Sequence, residues 1–343
     1  MKFSIFNFLL LNSSNDICDL PAINSRYSVY RTCSDVTITT MTLNWSTKAE
    51  SVLPSRDLSG CIVVITGSNT GLGLETARVL CKQNALVVFA CRDVEKAQQA
   101  VASLPPEYQT DVIRLDLASL SSVREFSRTF CSRYEKLDIL INNAGVMASP
   151  YLKTSDGFEL QFGVNYLGHF LLTKLLLPRL EAAPEGRVVN VSSMGHRLNL
   201  LNLDDLNCER YSKSRLYPIY YKWVQYGNSK VAQILHTIEL NKRLRATGSR
   251  VNVYALHPGM ILTNLFQYVS VIYWLMYLLL TFLCKTVEQG AATTVFCAIH
   301  PSVRNYSGGF FKDCKTMPPT LPRKAEEKAA RLWELSEDLV REK

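Results

Sequence analysis

A short apolar run that breaks straight into clustered glycines and then into helical periodicity admits few folds. Residues 62–82 read that way. Ile62–Thr66 (IVVIT) is apolar and β-branched, Gly67-Ser68-Asn69-Thr70-Gly71-Leu72-Gly73 follows at once, and Leu74–Lys82 has helical spacing. Leu86–Ala90, Ile139–Asn142, Arg187–Val191 and Val251–Leu256 are runs of the same kind, with Val112–Leu115 a weaker one. Between them, Val94–Ala102 is helix-like, and Leu120, Val123, Phe126 and Phe130 share one helical face. Apolar strands alternating with helices make βαβ units, and continuous apolar character means burial on both faces, hence a parallel sheet. Right-handed crossovers then wind it doubly. The expected fold is α/β: a doubly wound parallel sheet in a single domain with an apolar substrate lid.

Composition agrees. Of 343 residues, 47% are hydrophobic and 20% charged, enough apolar surface to offset the ordering entropy that keeps polar chains unfolded. The formal charge of +8 is modest and no basic run occurs, so nucleic acid is not expected as a partner. Ten scattered cysteines without a CxxC pair read as reduced thiols, and five histidines without ligand spacing give no metal site. Residues 1–57 read as an N-terminal arm, poorly ordered or a weak anchor, in which the apolar stub Met1–Leu11 is far shorter than the ~20 residues a spanning helix requires. The domain is expected over 58–315 and a C-terminal helical tail over 316–343. Leu265–Cys284 holds twenty residues without a charge. It falls between a strand and the helix-like Val287–Ala298, where a full membrane crossing would separate parts of one sheet. Residues 264–285 are therefore expected to form a lid that dips into a membrane or covers a lipophilic pocket.

The glycine turn suits a pyrophosphate. Glycines let backbone approach the anion, and a helix N-terminus offers free N–H groups and partial positive charge. Residues 67–73 are thus candidate dinucleotide contacts. At the end of the second run stands Ala90-Cys91-Arg92-Asp93. Arginine there would accept a 2′-phosphate, so Arg92 favours NADP over NAD, while Asp93 pulls the other way. Asp116 and Leu117, after the weaker strand, are placed to meet the adenine; Asp116 also suits a helix cap. Tyr226 has a lysine four positions on, Lys230, ahead of the helix-like Val231–Leu244. Positions i and i+4 share a helix face. A phenol of pKa about 10 stays protonated at neutral pH and cannot serve as a base there, and a fixed cation beside it stabilises the phenolate and lowers that value.

Six motifs stand in order: Thr66-Gly67-x-x-x-Gly71-x-Gly73, Asn142-Asn143-Ala144-Gly145, Gly163-Val164-Asn165, Ser192-Ser193, Tyr226-x-x-x-Lys230 and Pro258-Gly259. Across residues 58–315 the chain resembles the short-chain dehydrogenase/reductase family, of Rossmann-type fold. Cys91-Arg92-Asp93, Asn142–Met147, Asp156–Glu159 and Leu167–Phe170 are similar to its retinol dehydrogenase branch. Gln289–Thr294 and Leu332–Glu342 also resemble the oxidoreductase domain of WW domain-containing oxidoreductase, whose paired-tryptophan modules are absent here. The resemblance implies roles. Tyr226 would be the general acid/base on the substrate oxygen, and Lys230 would lower its pKa and hold the nicotinamide ribose. Ser193, with Ser192 the alternative by position, would bond the substrate oxygen, and Asn165 would hold the water of a proton relay. Asn143, Ala144 and Gly145 would line the cofactor, and Thr263, after Pro258-Gly259, would touch its carboxamide or diphosphate.

One departure concerns the stretch from Ser193 to Tyr226. It is longer than usual for the family and carries Tyr211, Tyr217, Tyr220, Tyr221 and Trp223 among Lys and Arg residues, which bears on substrate access. The expected activity is interconversion of an alcohol and a carbonyl on a lipophilic substrate of retinoid or steroid class, with NADP(H). The expected setting is a membrane, on its cytosol-facing side, with the endoplasmic reticulum foremost and the cytoplasm as alternative; a homodimer is left open. The rival readings are a non-catalytic interaction protein that keeps the fold, and a soluble reductase of small carbonyls.

Overall fold

The computed structural model describes residues 43–53, 55–198, 200–209, 218–261 and 284–341, with the side chains of 218–220 left aside. Eight strands form one sheet in the order β3-β2-β1-β4-β5-β6-β7-β8. These are β1 (Ile62–Thr66), β2 (Leu86–Cys91), β3 (Thr110–Arg114), β4 (Ile139–Asn142), β5 (Arg187–Val191), β6 (Asn252–His257), β7 (Phe310–Lys312) and β8 (Lys315–Thr316). All neighbours pair in parallel except β7 with β8, which is antiparallel at the edge. The strand order turns back between β1 and β4, and at such a switch point the carboxyl ends of the strands open a crevice.

Helices cover both faces: α1 (Gly71–Cys81), α2 (Val94–Ala102), α3 (Leu120–Arg133), the short α4 (Leu160–Phe162), α5 (Gly168–Glu181), α6 (Pro218–Ala246), α7 (Val287–Ile299) and α8 (Ala325–Leu339). A π-turn, Gly163–Leu167, joins α4 to α5. Alternation along β1 divides the core. Val64 packs with Phe126, Phe170, Leu235 and Trp333, whereas Val63 and Ile65 pack with Ala77, Leu80, Val295 and Cys297. Fully burying such side chains contributes roughly 1.5–3 kcal/mol each, and this pins the register, because a one-residue slip would exchange the two faces.

The sequence reading differs from the structure in several places. The weak run at 112–115 is a full strand that begins at Thr110. The edge pair β7–β8 is too short, at three and two residues, to carry a periodic signal. The sequence places residues 43–57 in the arm, yet Ala49 and Val52 are buried beside α1 and α7. The tail is likewise integral, since Ala329, Leu332, Trp333 and Val340 lie in the core. Residues 1–42, 262–283 and Thr263 among them, and Tyr211 and Tyr217 fall outside the described residues. The flanks of 262–283 meet: Ile261 pairs with Lys285, and the Lys285 N–H donates to the Met260 carbonyl at 2.8 Å. Among the described residues, no helix is long and apolar enough to cross a membrane.

Candidate active site

The glycine turn leaves β1 through Gly67, whose φ of +65° lies in the left-handed region that favours glycine. Its N–H donates to the Ala90 carbonyl at 2.9 Å, which ties the turn to β2. Gly73, in the first turn of α1, is packed so closely that a Cβ would stand 2.4 Å from the Gly67 carbonyl oxygen and 2.7 Å from Asn143 Nδ2. Asn143 fastens the turn from the other side, its Nδ2 donating to the Thr66 carbonyl at 2.9 Å. Thr66 Oγ1 in turn accepts the N–H groups of Asn143 and Ala144, both at 2.9 Å. The first turn of α1 carries no acid, so its partial positive charge faces the crevice uncancelled.

Side chains around the turn sort themselves. Ser68 Oγ turns back to the Ile65 carbonyl at 3.1 Å, and Leu72 packs against Gly290 of α7. Asn69 is half-buried and Thr70 exposed at the rim. Arg92 is exposed, whereas Asp93 is committed to capping α2 through the Lys96 N–H at 3.0 Å. Asp116 accepts the Ala118 N–H at 3.0 Å; the cap of α3 is Ser119, not Asp116. Leu117 turns into the core under Gly168. Beyond β6, Pro258 is buried, and Gly259, at φ +102°, lies against the stem of Lys285, whose ammonium pairs with Asp313. This set fits a dinucleotide: a side-chain-free cradle on a helix N-terminus, with an exposed guanidinium at the end of β2 and Gly145 opposite, where a Cβ would crowd Asn165 Oδ1 at 3.1 Å and Lys230 Nζ at 3.6 Å.

Across the crevice, α6 brings Tyr226 and Lys230 onto one face, with Lys230 Nζ 5.8 Å from the phenol ring centroid. Both are buried. Burial pushes the Tyr226 phenol up to about 12, against the pull of its hydrogen bond with Ser193, and pushes Lys230 down to about 7. Desolvation therefore outweighs the lowering of the phenol expected from its ammonium neighbour. Lys230 Nζ donates to the Val191 carbonyl at 2.8 Å and to Gln233 Oε1 at 3.2 Å. Of the paired serines, Ser193 meets Tyr226, whereas Ser192 Oγ turns away to the Lys230 carbonyl at 2.8 Å. Gly195 lies flat against the Tyr226 ring, where a Cβ would come within 2.8 Å of it.

Asn165 sits in the π-turn, an irregularity often found at functional sites. Its Oδ1 accepts the Val146 N–H at 2.8 Å, and its Nδ2 donates to the Val146 carbonyl and to Ser229 Oγ, both at 2.9 Å. The side chain is thus a fixed clamp beside Gly145, and its backbone carbonyl reaches Lys230 through Gln233. Sequence reasoning missed Gln233, the contacts of His169, and Met147 and Ala148, which with Trp223, already placed at the substrate entrance, form an apolar wall beside Tyr226. A glutamine three positions after the lysine was the available signal for the first. The wall is assembled from two distant segments and left no local trace.

Comparison with known proteins agrees with this geometry. The short chain dehydrogenase family matches residues 61–202. Retinol dehydrogenase 11 of Mus musculus is 42% identical over 286 residues, covering 82% of this chain and 87% of that protein. Retinol dehydrogenase 12 of Homo sapiens is 42% identical over 287 residues, with coverage of 82% and 87%. A crystal structure of an uncharacterized protein from Mycobacterium Paratuberculosis superposes with a TM-score of 0.65 at 38% identity, over 84% of this chain and 96% of that one. The chain belongs to the short chain dehydrogenase family and is one of its oxidoreductases.

Proposed function

We propose that this oxidoreductase interconverts an alcohol and a carbonyl on a lipophilic substrate, of retinoid or steroid class, with NADP(H). The observation that carries the reading is that Tyr226 and Ser193 both flank Gly195, with Tyr226 one helical turn from Lys230 and beside an apolar wall. The similarity to retinol dehydrogenases narrows the substrate class. When bound, the nicotinamide cofactor supplies or accepts the hydride. Residues 67–73, Asn143, Ala144, Gly145, Pro258 and Gly259 would hold it, with Lys230 at its ribose, Thr263 at the carboxamide or diphosphate, and Asp116 and the backbone of Leu117, whose side chain is buried, at the adenine. Arg92, exposed beside a capped Asp93, is the reader of a 2′-phosphate and supports NADP over NAD.

Ser193 orients the substrate oxygen, and Tyr226 moves the proton at that oxygen. A buried, protonated phenol is the form that donates to a carbonyl oxygen during reduction. Oxidation of the alcohol needs the phenolate, and Lys230 in its ammonium form stabilises that anion at close range. Membrane contact belongs to the same reading: Leu265–Cys284 carries no charge, and its flanks return to one edge at Ile261 and Lys285. The test is purified protein in detergent with NADPH and all-trans-retinal or a ketosteroid panel, followed by nicotinamide absorbance. Turnover no greater than that of Tyr226→Phe overturns the enzymatic reading. NADH preferred over NADPH, or a preference unmoved by Arg92→Asp, overturns the cofactor assignment. Carbonate extraction tests the membrane contact, and complete release into the wash removes it.

A further inference from the structure

One buried amide stands between two residues of the site. Gln233 follows Lys230 at i+3 on α6 and is 2% exposed. Its Nε2 donates to the Asn165 carbonyl at 2.7 Å, and its Oε1 accepts from Lys230 Nζ at 3.2 Å. A carbonyl only accepts, which fixes the amide nitrogen on Asn165 and leaves the oxygen for Lys230.

The Asn165 carbonyl has a second partner in His169 Nδ1, at 3.0 Å. That nitrogen must be the donor. Burial keeps the ring neutral by pushing it down to about 4, so Nε2 is an acceptor. Thr66 Oγ1, 2.9 Å from Nε2, already accepts two backbone N–H groups and has its single proton left for the ring. The hydrogen-bond inventory closes without a gap, and both lone pairs of the Asn165 carbonyl are taken. A water between Asn165 and Lys230 would find neither a lone pair on that carbonyl nor the path that the Gln233 side chain fills.

We infer that Gln233 is a positioning residue: its side-chain amide spans from the Asn165 carbonyl to Lys230 Nζ and fixes the lysine beneath the Tyr226 phenol, in the place where a relay water was expected. The inference rests on the proposed roles of Tyr226 and Lys230. Length is part of it, because an asparagine at this position falls a methylene short of one partner or the other.

The experiment is a pH titration of Lys230 Nζ by ¹⁵N NMR of lysine-labelled, cofactor-free protein, with the resonance assigned by its loss in Lys230→Met. Gln233→Leu removes the acceptor from the ammonium and is expected to lower the midpoint by about one unit, whereas Gln233→Glu sets a carboxylate beside it and raises the midpoint by about one unit or more. In parallel, Gln233→Leu and Gln233→Asn are expected to lower kcat about tenfold with KM for the carbonyl substrate within about twofold, the pattern of a lost transition-state interaction rather than lost binding. Thermal unfolding checks that each variant folds, and if Gln233→Leu does not, Gln233→Glu and Gln233→Asn carry the test. A Lys230 midpoint that is the same in every folded variant, or a Gln233→Asn enzyme with wild-type kcat, overturns the inference. Tyr226→Phe separates the two readings: wild-type turnover in that variant sinks the chemistry, while the Lys230 titration still decides the span.

Discussion

Two adjacent serines end β5, and one hydroxyl separates their fates. Ser193 Oγ meets the Tyr226 phenol, while Ser192 Oγ is spent on the Lys230 carbonyl. Ser193→Ala is expected to lower turnover about 10²-fold or more, the range for removing one donor to a reacting oxygen. Ser192→Ala is expected to cost about 1 kcal/mol of stability and little activity. Equal kcat losses in the two would reverse this assignment. Gly73 is equally specific. Its missing Cβ leaves room for the Gly67 carbonyl and Asn143, so Gly73→Ala must displace backbone, at roughly 1–3 kcal/mol. NADPH affinity by fluorescence titration should fall with it, and unchanged affinity would mean that the turn is not the cradle. At this scale the sequence reached Tyr226, Lys230, Asn165 and the glycines, because their spacing along the chain is itself the signal. It did not reach Gln233, His169 or Met147, whose significance comes from distant partners: Asn165 lies 68 positions from Gln233, Thr66 lies 103 from His169, and Tyr226 stands on another element from Met147. Nor could spacing foresee that burial would push Tyr226 up rather than leave Lys230 to pull it down, since desolvation depends on everything packed around the pair.

The elements read most clearly were those with an unbroken period. Val94–Ala102 matches α2, and β1, β4 and β5 stand where their apolar runs placed them. Elements whose character is tertiary were harder. β7 and β8 are too short for periodicity. α5 is apolar nearly all round, because one side faces the sheet and the others pack against α3 and, at Phe170, against Trp333 of α8, so it shows no stripe. The C-terminal helix illustrates the difference. Read as a tail, α8 instead closes the core. Trp333 stacks on His236 at 5.4 Å and meets Phe170 edge-on at 4.9 Å, Arg243 lies 4.7 Å over its ring, and Ser336 Oγ bonds Tyr166 Oη at 2.8 Å. Trp333→Ala is therefore expected to cost about 3–5 kcal/mol, read by denaturant unfolding, and removal of residues 324–343 to leave an insoluble chain. A truncated protein that keeps its thermal midpoint would return α8 to the status of an appendage.

The whole molecule carries a liability that follows from its polar interior. His169, His236 and His257 are buried and neutral, and burial pushes their rings down to about 4, 3 and 3. His236 has neither ring nitrogen hydrogen-bonded and lies within aromatic side chains. The other two hold the site's backbone: His169 meets the Asn165 carbonyl, and His257 Nδ1 accepts the Met194 N–H at 3.1 Å. In the unfolded chain each ring takes a proton near its ordinary value of about 6.5. Above that value neither state binds these protons and nothing is gained or lost. Below it the unfolded state binds more, so stability falls with pH down to the folded values, where the difference is complete. Three protons at about 1.4 kcal/mol per pH unit would give a slope of about 4 kcal/mol near pH 5. Glu159 opposes them, since burial pushes its carboxyl up and favours the folded state in acid, but with at most one proton. A net slope of about 3 kcal/mol per unit would consume a domain stability of about 5–15 kcal/mol within a few units. The thermal midpoint should drift down between pH 8 and 7, where unfolding lets Lys230 take up a proton that burial withholds in the folded protein, then fall steeply below about pH 6, and fall less in His236→Leu, which removes one of the three histidine protons without touching the site. A midpoint at pH 5 equal to that at pH 7 would mean that these rings reach water in the folded protein. The hydrogen-bond accounting that makes His169 a donor to Asn165 would fail with it.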